Sequence, residues 1–217
     1  MKMKTKRKAL LLSLCAVLLV VASVMGTMAY LTSTDSVENT FTVGKVEITL
    51  DEKDTDNSTP NADRDKANSY LLVPGEKYEK DPTVHVKPVS ENSYIFVKVE
   101  NELSAFEAAT STEEGGYKSI ADQIEANNWT LVKDTTNVYW KSYTKGDTAN
   151  ANLVVFENFK IADDANGTDG WDEITAVEGN ENTGAKITVT AYAVQQEGFA
   201  TAEEAWTNTF GKPATNP

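Results

Sequence analysis

The chain has 217 residues and carries 33 acidic against 20 basic side chains, a formal net charge of −13. Its first 29 residues hold five cations and no carboxylate, so the remainder sets 15 basic against 33 acidic residues, a charge of −18. Such a domain repels nucleic acid and anionic lipid headgroups, which need basic patches, and with Arg64 as its one arginine it lacks the usual bidentate clamps for anions.

Met1 to Lys8 carry the positive charge, Ala9 to Met25 are almost wholly apolar, and Gly26-Thr27-Met28-Ala29 end the run. Thr27 and Ala29 place small residues at −3 and −1 of a cut before Tyr30. This order predicts a signal helix and signal peptide over residues 1–29. The alternative is an uncleaved anchor, since Ala9 to Met28 is long enough to span a bilayer. Cys15, the sole cysteine, lies in that run, so the rest of the chain has no disulfide or thiolate chemistry. An exported protein without disulfides points to a Gram-positive surface.

Residues 30–50 form the mature N-terminal segment and first strand. Phe41 and Val43 alternate with polar neighbours, and so do Val46, Ile48 and Leu50. The parity changes at Gly44-Lys45, which predicts a bulge there. Residues 51–69 are acidic and lack apolar residues other than Ala, which predicts a flexible loop. The body spans 70–211. Tyr70 to Val73 is a short apolar run stopped by the turn dipeptide Pro74-Gly75, after which a new strand should start. Pro82 to Lys87 and Ser93 to Asn101 alternate, placing His85 on a solvated face and Ile95, Val97 and Val99 on a common one. Tyr117, Ile120, Ala121 and Ile124 have helical spacing between Gly and Asn breakers.

Further strands are predicted over Trp129 to Val132, Val138 to Tyr143, Leu153 to Ile161 and Lys186 to Val194. Thr201 and Glu204 make a capping-box pattern before a closing helix, and residues 212–217 are a tail. The elements together predict a mainly all-β chain: an antiparallel, jelly-roll-like β-sandwich with a mid-chain helix and a short C-terminal helix, preceded by the N-terminal signal helix.

Gly26-Thr27-Met28-Ala29-Tyr30, Phe41-Thr42-Val43-Gly44-Lys45-Val46 and Leu72-Val73-Pro74-Gly75-Glu76, followed by Lys80 and the strand Ser93 to Val99, resemble the opening half of the TasA/camelysin family. The resemblance covers Leu10 to Asn101 and is diffuse beyond. It implies a signal peptide cut by a SipW-like signal peptidase and a secreted jelly-roll protein of the cell surface or biofilm extracellular matrix. It further implies self-association into fibres, or association with other matrix proteins, by donor-strand complementation. The donor candidates are Tyr30, Leu31, Val37, Phe41 and Val43; the competing reading makes Phe41 to Leu50 simply the first strand of its own sandwich.

Catalytic chemistry finds little footing. One histidine and no H-E-x-x-H argue against the metalloprotease that the camelysin name suggests, and no G-x-S-x-G is present. The chain is therefore read as non-enzymatic and without a cofactor, touching membrane only through its signal segment. A β-sandwich ligand-binding or adhesion module is the alternative. Asp163, Asp164, Asn166, Asp169 and Asp172 form a weak calcium candidate, but Asp169 stands where the calcium-loop template needs Gly, which favours a solvated acidic turn.

Overall fold

The computed structural model describes Leu18 and residues 45–59, 62–171 and 184–211. The chain divides into two compact units, Met1–Thr42 and Val43–Pro217, and the elements below belong to the second. The signal segment, its cut site, the donor candidates Tyr30 to Val43 and the Gly44 side of the expected bulge lie outside the described residues.

Alternation has the expected consequence: the chain is mainly β, with ten strands in antiparallel sheets and two short helices described in full among the described residues. The strands are β1 (Ile48–Lys53), β2 (Arg64–Asp65), β3 (Lys77–Glu79), β4 (Thr83–Val86), β5 (Ser93–Asn101), β6 (Thr130–Leu131), β7 (Val138–Tyr143), β8 (Asn152–Val154), β9 (Asn158–Lys160) and β10 (Ile187–Gln195). The helices are α1 (Ile120–Ala126) and α2 (Ala202–Thr209). Sheet one runs β2-β1-β4-β8, sheet two runs β10-β5-β7-β6, and β3 pairs with β9 in a separate ribbon.

Register brings like residues level. Leu50 and Leu153 flank Val84 in sheet one, while Ala191 and Tyr139 flank Val97 in sheet two. These inner faces share one core with Ile95, Val99, Ile124, Trp129, Val155, Phe156 and Phe159. The opposite face of sheet two is also apolar: Phe96, Tyr192 and Trp140 meet Ala202, Ala205, Trp206 and Phe210 from α2 and its C-terminal end. Sheet two is therefore covered on both sides. The Thr201 hydroxyl caps α2 by accepting from the Glu204 N–H at 3.1 Å, while the Glu204 carboxylate reaches back to the Ala200 N–H rather than to Thr201.

Three expectations are revised. The apolar run Leu153 to Ile161 is two strands: Val155 donates to the Pro82 carbonyl at 2.8 Å as β8 ends, and the chain then bends to pair β9 with β3. Val155 and Phe156 are both fully buried at that bend. Tyr70 to Val73 joins no ladder; the Tyr78 hydroxyl fixes it instead, donating to the Leu71 carbonyl and accepting from the Val73 N–H. The stretch 51–69 is not loop throughout, since β1 continues to Lys53 and β2 pairs with its end. The Pro74-Gly75 turn is as expected, with Gly75 at φ +83°, a left-handed backbone that favours glycine; a Cβ there would meet only the exposed end of the Asp163 side chain.

α1 is held by side chains at its start. Glu107 accepts from the Ile120 N–H at 2.7 Å and from the Tyr117 hydroxyl at 2.6 Å, and Ser119 accepts from the Asp122 N–H. Burial and the Glu107 carboxylate push the Tyr117 phenol well above its ordinary range. Thr110 and Ser119 hydrogen bonds hold the Asp122 carboxyl below its own.

Candidate functional site

β10 is a nine-residue edge strand: among the described residues its only ladder partner is β5. The phase of its hydrogen bonds follows from two neighbours. Gln196 donates to the Asn92 carbonyl at 2.9 Å, and Glu102 donates to the Lys186 carbonyl at 3.0 Å. Even-numbered residues thus bond to β5, and the N–H and C=O groups of Ile187, Val189, Ala191, Ala193 and Gln195 point away from it. From Ile187 to Gln196 the edge has no charge, proline or glycine. Natural sheet edges are normally blunted by such residues, and an edge without them is suited to pairing with another strand.

A second constellation occupies the outer face of sheet one. Leu50 and Glu52 face inward, so Asp51 faces out beside its cross-strand neighbours. One of its oxygens accepts from Arg64 Nε and lies 2.9 Å from His85 Nε2, and His85 Nδ1 lies 2.7 Å from Asn152 Oδ1. Arg64 also donates to Asp81 Oδ2 at 2.7 Å and to the carbonyls of Asp51 and Asp81. Burial raises the Asp51 pKa, but hydrogen bonds and charges from Arg64 and His85 outweigh it and hold the carboxyl below its ordinary value. The face expected for His85 is the face it occupies. It is not simply solvated there, with 26% of its side chain exposed and both ring nitrogens engaged.

Arg64 pins β2 and so folds the acidic stretch back on itself. Ser58 N–H donates to Asp54 and Asp56, Thr59 N–H donates to Asp54, and the Ser58 hydroxyl donates to Asp65 at 2.9 Å. Asn68 bonds Thr55, Glu52 and the Lys53 carbonyl. One oxygen each from Asp54, Asp56 and Asp65 lies within 4.8 Å of the others, an all-oxygen donor set of the kind that suits a hard cation such as calcium. From the sequence this stretch reads only as an acidic flexible loop. The overlooked signal was spacing: counting Asp54 as position 1, Asp56, Ser58 and Asp65 fall at positions 3, 5 and 12 of the calcium-loop template, with Thr59 where Gly is usual.

The other candidate is not gathered in this way. Asp163, Asp164, Asn166 and Asp169 are exposed around a 3-10 turn at Ala165–Gly167, and no three of the acidic groups there converge among the described residues. Asp163 instead faces Lys160 at 3.7 Å, and Asp172 lies outside the described residues. The cleavage residues Thr27, Ala29 and Tyr30 and the donor candidates Leu31, Val37, Phe41 and Val43 also lie outside them. Among the described residues no helix is long and apolar enough to cross a membrane. No family model, curated protein or solved structure matches the chain.

Proposed function

We propose that the chain is a secreted, non-enzymatic protein of a Gram-positive cell surface or biofilm matrix, and that it self-associates by strand addition. A SipW-like peptidase frees Tyr30, and the segment Tyr30 to Val43 of one copy pairs with the edge of β10 in the next. The observation that carries this reading is the long, uncharged β10 strand, which among the described residues forms a ladder only with β5, although β1 packs close to it. Backbone ladder bonds supply affinity in such an interface, and alternate side chains supply specificity. Head-to-tail addition does not close on itself and gives filaments. The jelly-roll class belongs to the same reading. His85, the single histidine, is taken up by Asp51 and Asn152, which supports a structural rather than a catalytic part for it.

Electron microscopy of the secreted product over a range of pH and salt tests the proposal. Fibres are expected from the native sequence, and none after deletion of Tyr30 to Thr40. Ala191→Pro removes an outward N–H while leaving the β5 ladder intact, and it should shorten or abolish fibres. Monomers under every condition, or fibres indifferent to both changes, would overturn the proposal. N-terminal sequencing should begin at Tyr30; a start near Met1 would remove the cleavage step.

A further inference from the structure

Glu52 and Lys80 form the most buried ion pair among the described residues, with 6% and 11% of their side chains exposed. Lys80 Nζ donates to Glu52 Oε2 at 2.5 Å, and the other carboxylate oxygen, Oε1, accepts from Asn68 Nδ2 at 3.1 Å. One carboxylate therefore holds an amine on one oxygen and a side-chain amide on the other. The backbone around them is fixed. Glu52 lies in β1, the Lys80 N–H donates to the Glu157 carbonyl at 3.1 Å, and the Tyr70 hydroxyl donates to the Glu79 carbonyl at 2.9 Å.

The Asn68 amide is crowded with donors on its oxygen. Oδ1 accepts from the Thr55 N–H at 2.6 Å, the Thr55 hydroxyl at 2.9 Å and the Asp56 N–H at 3.3 Å. Nδ2 meets only acceptors, namely Glu52, the Lys53 carbonyl at 2.8 Å and Asp65 at 3.3 Å, so the network fixes which amide atom is which. Three donors exceed the two lone pairs of a resting amide oxygen. They polarise the carbonyl and are aimed where negative charge would collect if a nucleophile added to its carbon. Tyr70 shields the group. Burial, against a Thr55 hydrogen bond and with the charge of Glu52, pushes its phenol up to about 12, and its ring packs edge-on against Tyr78 and Phe159.

A nucleophile, a proton carrier, an acyl carbon and an oxyanion site thus meet at one point. We propose that Lys80 and Asn68 join in an intramolecular isopeptide bond, with Glu52 as the catalytic residue. The Nζ proton passes to the carboxylate it touches, which removes two charges from a shielded site. The Nζ lone pair then adds to Asn68 Cγ, and the oxyanion forms on Oδ1 beneath the Thr55 and Asp56 donors. Glu52 gives its proton to Nδ2 and takes one from the Nζ now bonded to carbon. The Cγ–Nδ2 bond breaks with its electron pair on nitrogen, and ammonia leaves with the proton from Glu52 as ammonium. One C–N bond replaces another, and no oxidant enters the balance. Holding both reactants on a single carboxylate supplies the proximity that aminolysis of an amide otherwise lacks. The step happens once per chain, so it is a maturation rather than a turnover. Beyond Cys15 the chain has no cysteine, and this amide is the covalent staple its fold can make, tying the end of the acidic stretch to the residue that follows β3. The proposal is independent of the assembly reading and uses no residue of β10.

The test is tandem mass spectrometry of a tryptic digest of the purified, folded full chain, taken from the monomer band of a denaturing gel. The peptide that begins at Ala67 should be joined to the one containing Lys80, and the pair should be about 17 Da lighter than the two apart, the mass of one ammonia. Trypsin should not cut after Lys80. Lys80→Arg keeps the ion pair without the primary amine and should abolish the link. Glu52→Gln removes the proton carrier and should lower the linked fraction at least about tenfold. Lys53→Arg, in the exposed pair with Glu79, should leave it complete. Asn68 and Lys80 recovered in separate peptides of the folded native chain would overturn the proposal, whether or not any variant folds. The same mass loss confined to the Asn68 peptide, or persisting in Lys80→Arg, would be cyclisation of Asn68 onto the Ser69 nitrogen and would overturn it as well. A full yield of linked peptide from Glu52→Gln would overturn the part given to Glu52.

Discussion

Replacing Gln123 should cost far more than a glutamine on a seven-residue helix would ordinarily suggest. Its amide donates to the carbonyls of Lys118 at 2.7 Å and Asn158 at 2.8 Å, and its oxygen accepts from the N–H groups of Glu157 at 3.0 Å and Asn158 at 3.2 Å. One side chain thus satisfies four backbone groups and ties α1 to β9. Gln123→Leu keeps the volume and the helix propensity but leaves those groups without a partner in a largely dry setting. At about 0.5–1.5 kcal/mol per lost bond, with incomplete additivity, the expected loss is about 3 kcal/mol. For a domain of this size that lowers the melting temperature by about 6–12 °C. Urea unfolding gives the free energy, and amide hydrogen exchange gives the location: Glu157 and Asn158 should lose more protection than Ile95 in β5. Gln123→Glu should be worse still, because it turns a donor into an acceptor facing two carbonyls. A loss below about 1 kcal/mol with unchanged exchange at Glu157 and Asn158 would refute the reasoning.

Two smaller effects follow from other groups. Tyr143→Phe removes a hydroxyl that is buried without a partner, so the variant should gain about 1 kcal/mol and melt about 2–4 °C higher; a lower melting temperature would show that the hydroxyl is bonded. Asp51 has a folded pKa below the ordinary 3.8, so its contribution is fully present above that value and is lost as pH falls through the lowered one. Acid unfolding should therefore steepen below about pH 4, and Arg64→Met should flatten that limb without altering the slope above pH 6. An unchanged acid limb in the variant would remove Arg64 as the cause.

Legibility in the sequence tracked the strength of local periodicity. β5, β7 and β10 stand within a residue or so of their expected bounds, β5 and β10 because each alternates over nine residues and β7 because its Val138-Tyr139-Trp140 run is rich in strand-forming side chains. The capping box before α2 was equally readable, since its chemistry is local. β2 was not, because two residues carry no period; what makes it a strand is the reach of Arg64 to Asp51 and Asp81. The split between β8 and β9 left no mark either, as Val155 and Phe156 are apolar whether the chain runs straight or bends. The partners of His85 were out of reach for another reason, lying 34 and 67 positions away along the chain.

The ladder between β5 and β10 also sets an order in time. Its nine cross-strand pairs join residues about 90 positions apart, so closing it carries a large loop entropy that local contacts cannot offset. The two faces that enclose sheet two cannot form before this pairing, and one of them needs Trp206 and Phe210, close to the end of the described chain. A chain without α2 and Phe210 would thus hold Phe96 and Tyr192 uncovered, an apolar patch on an otherwise finished sheet.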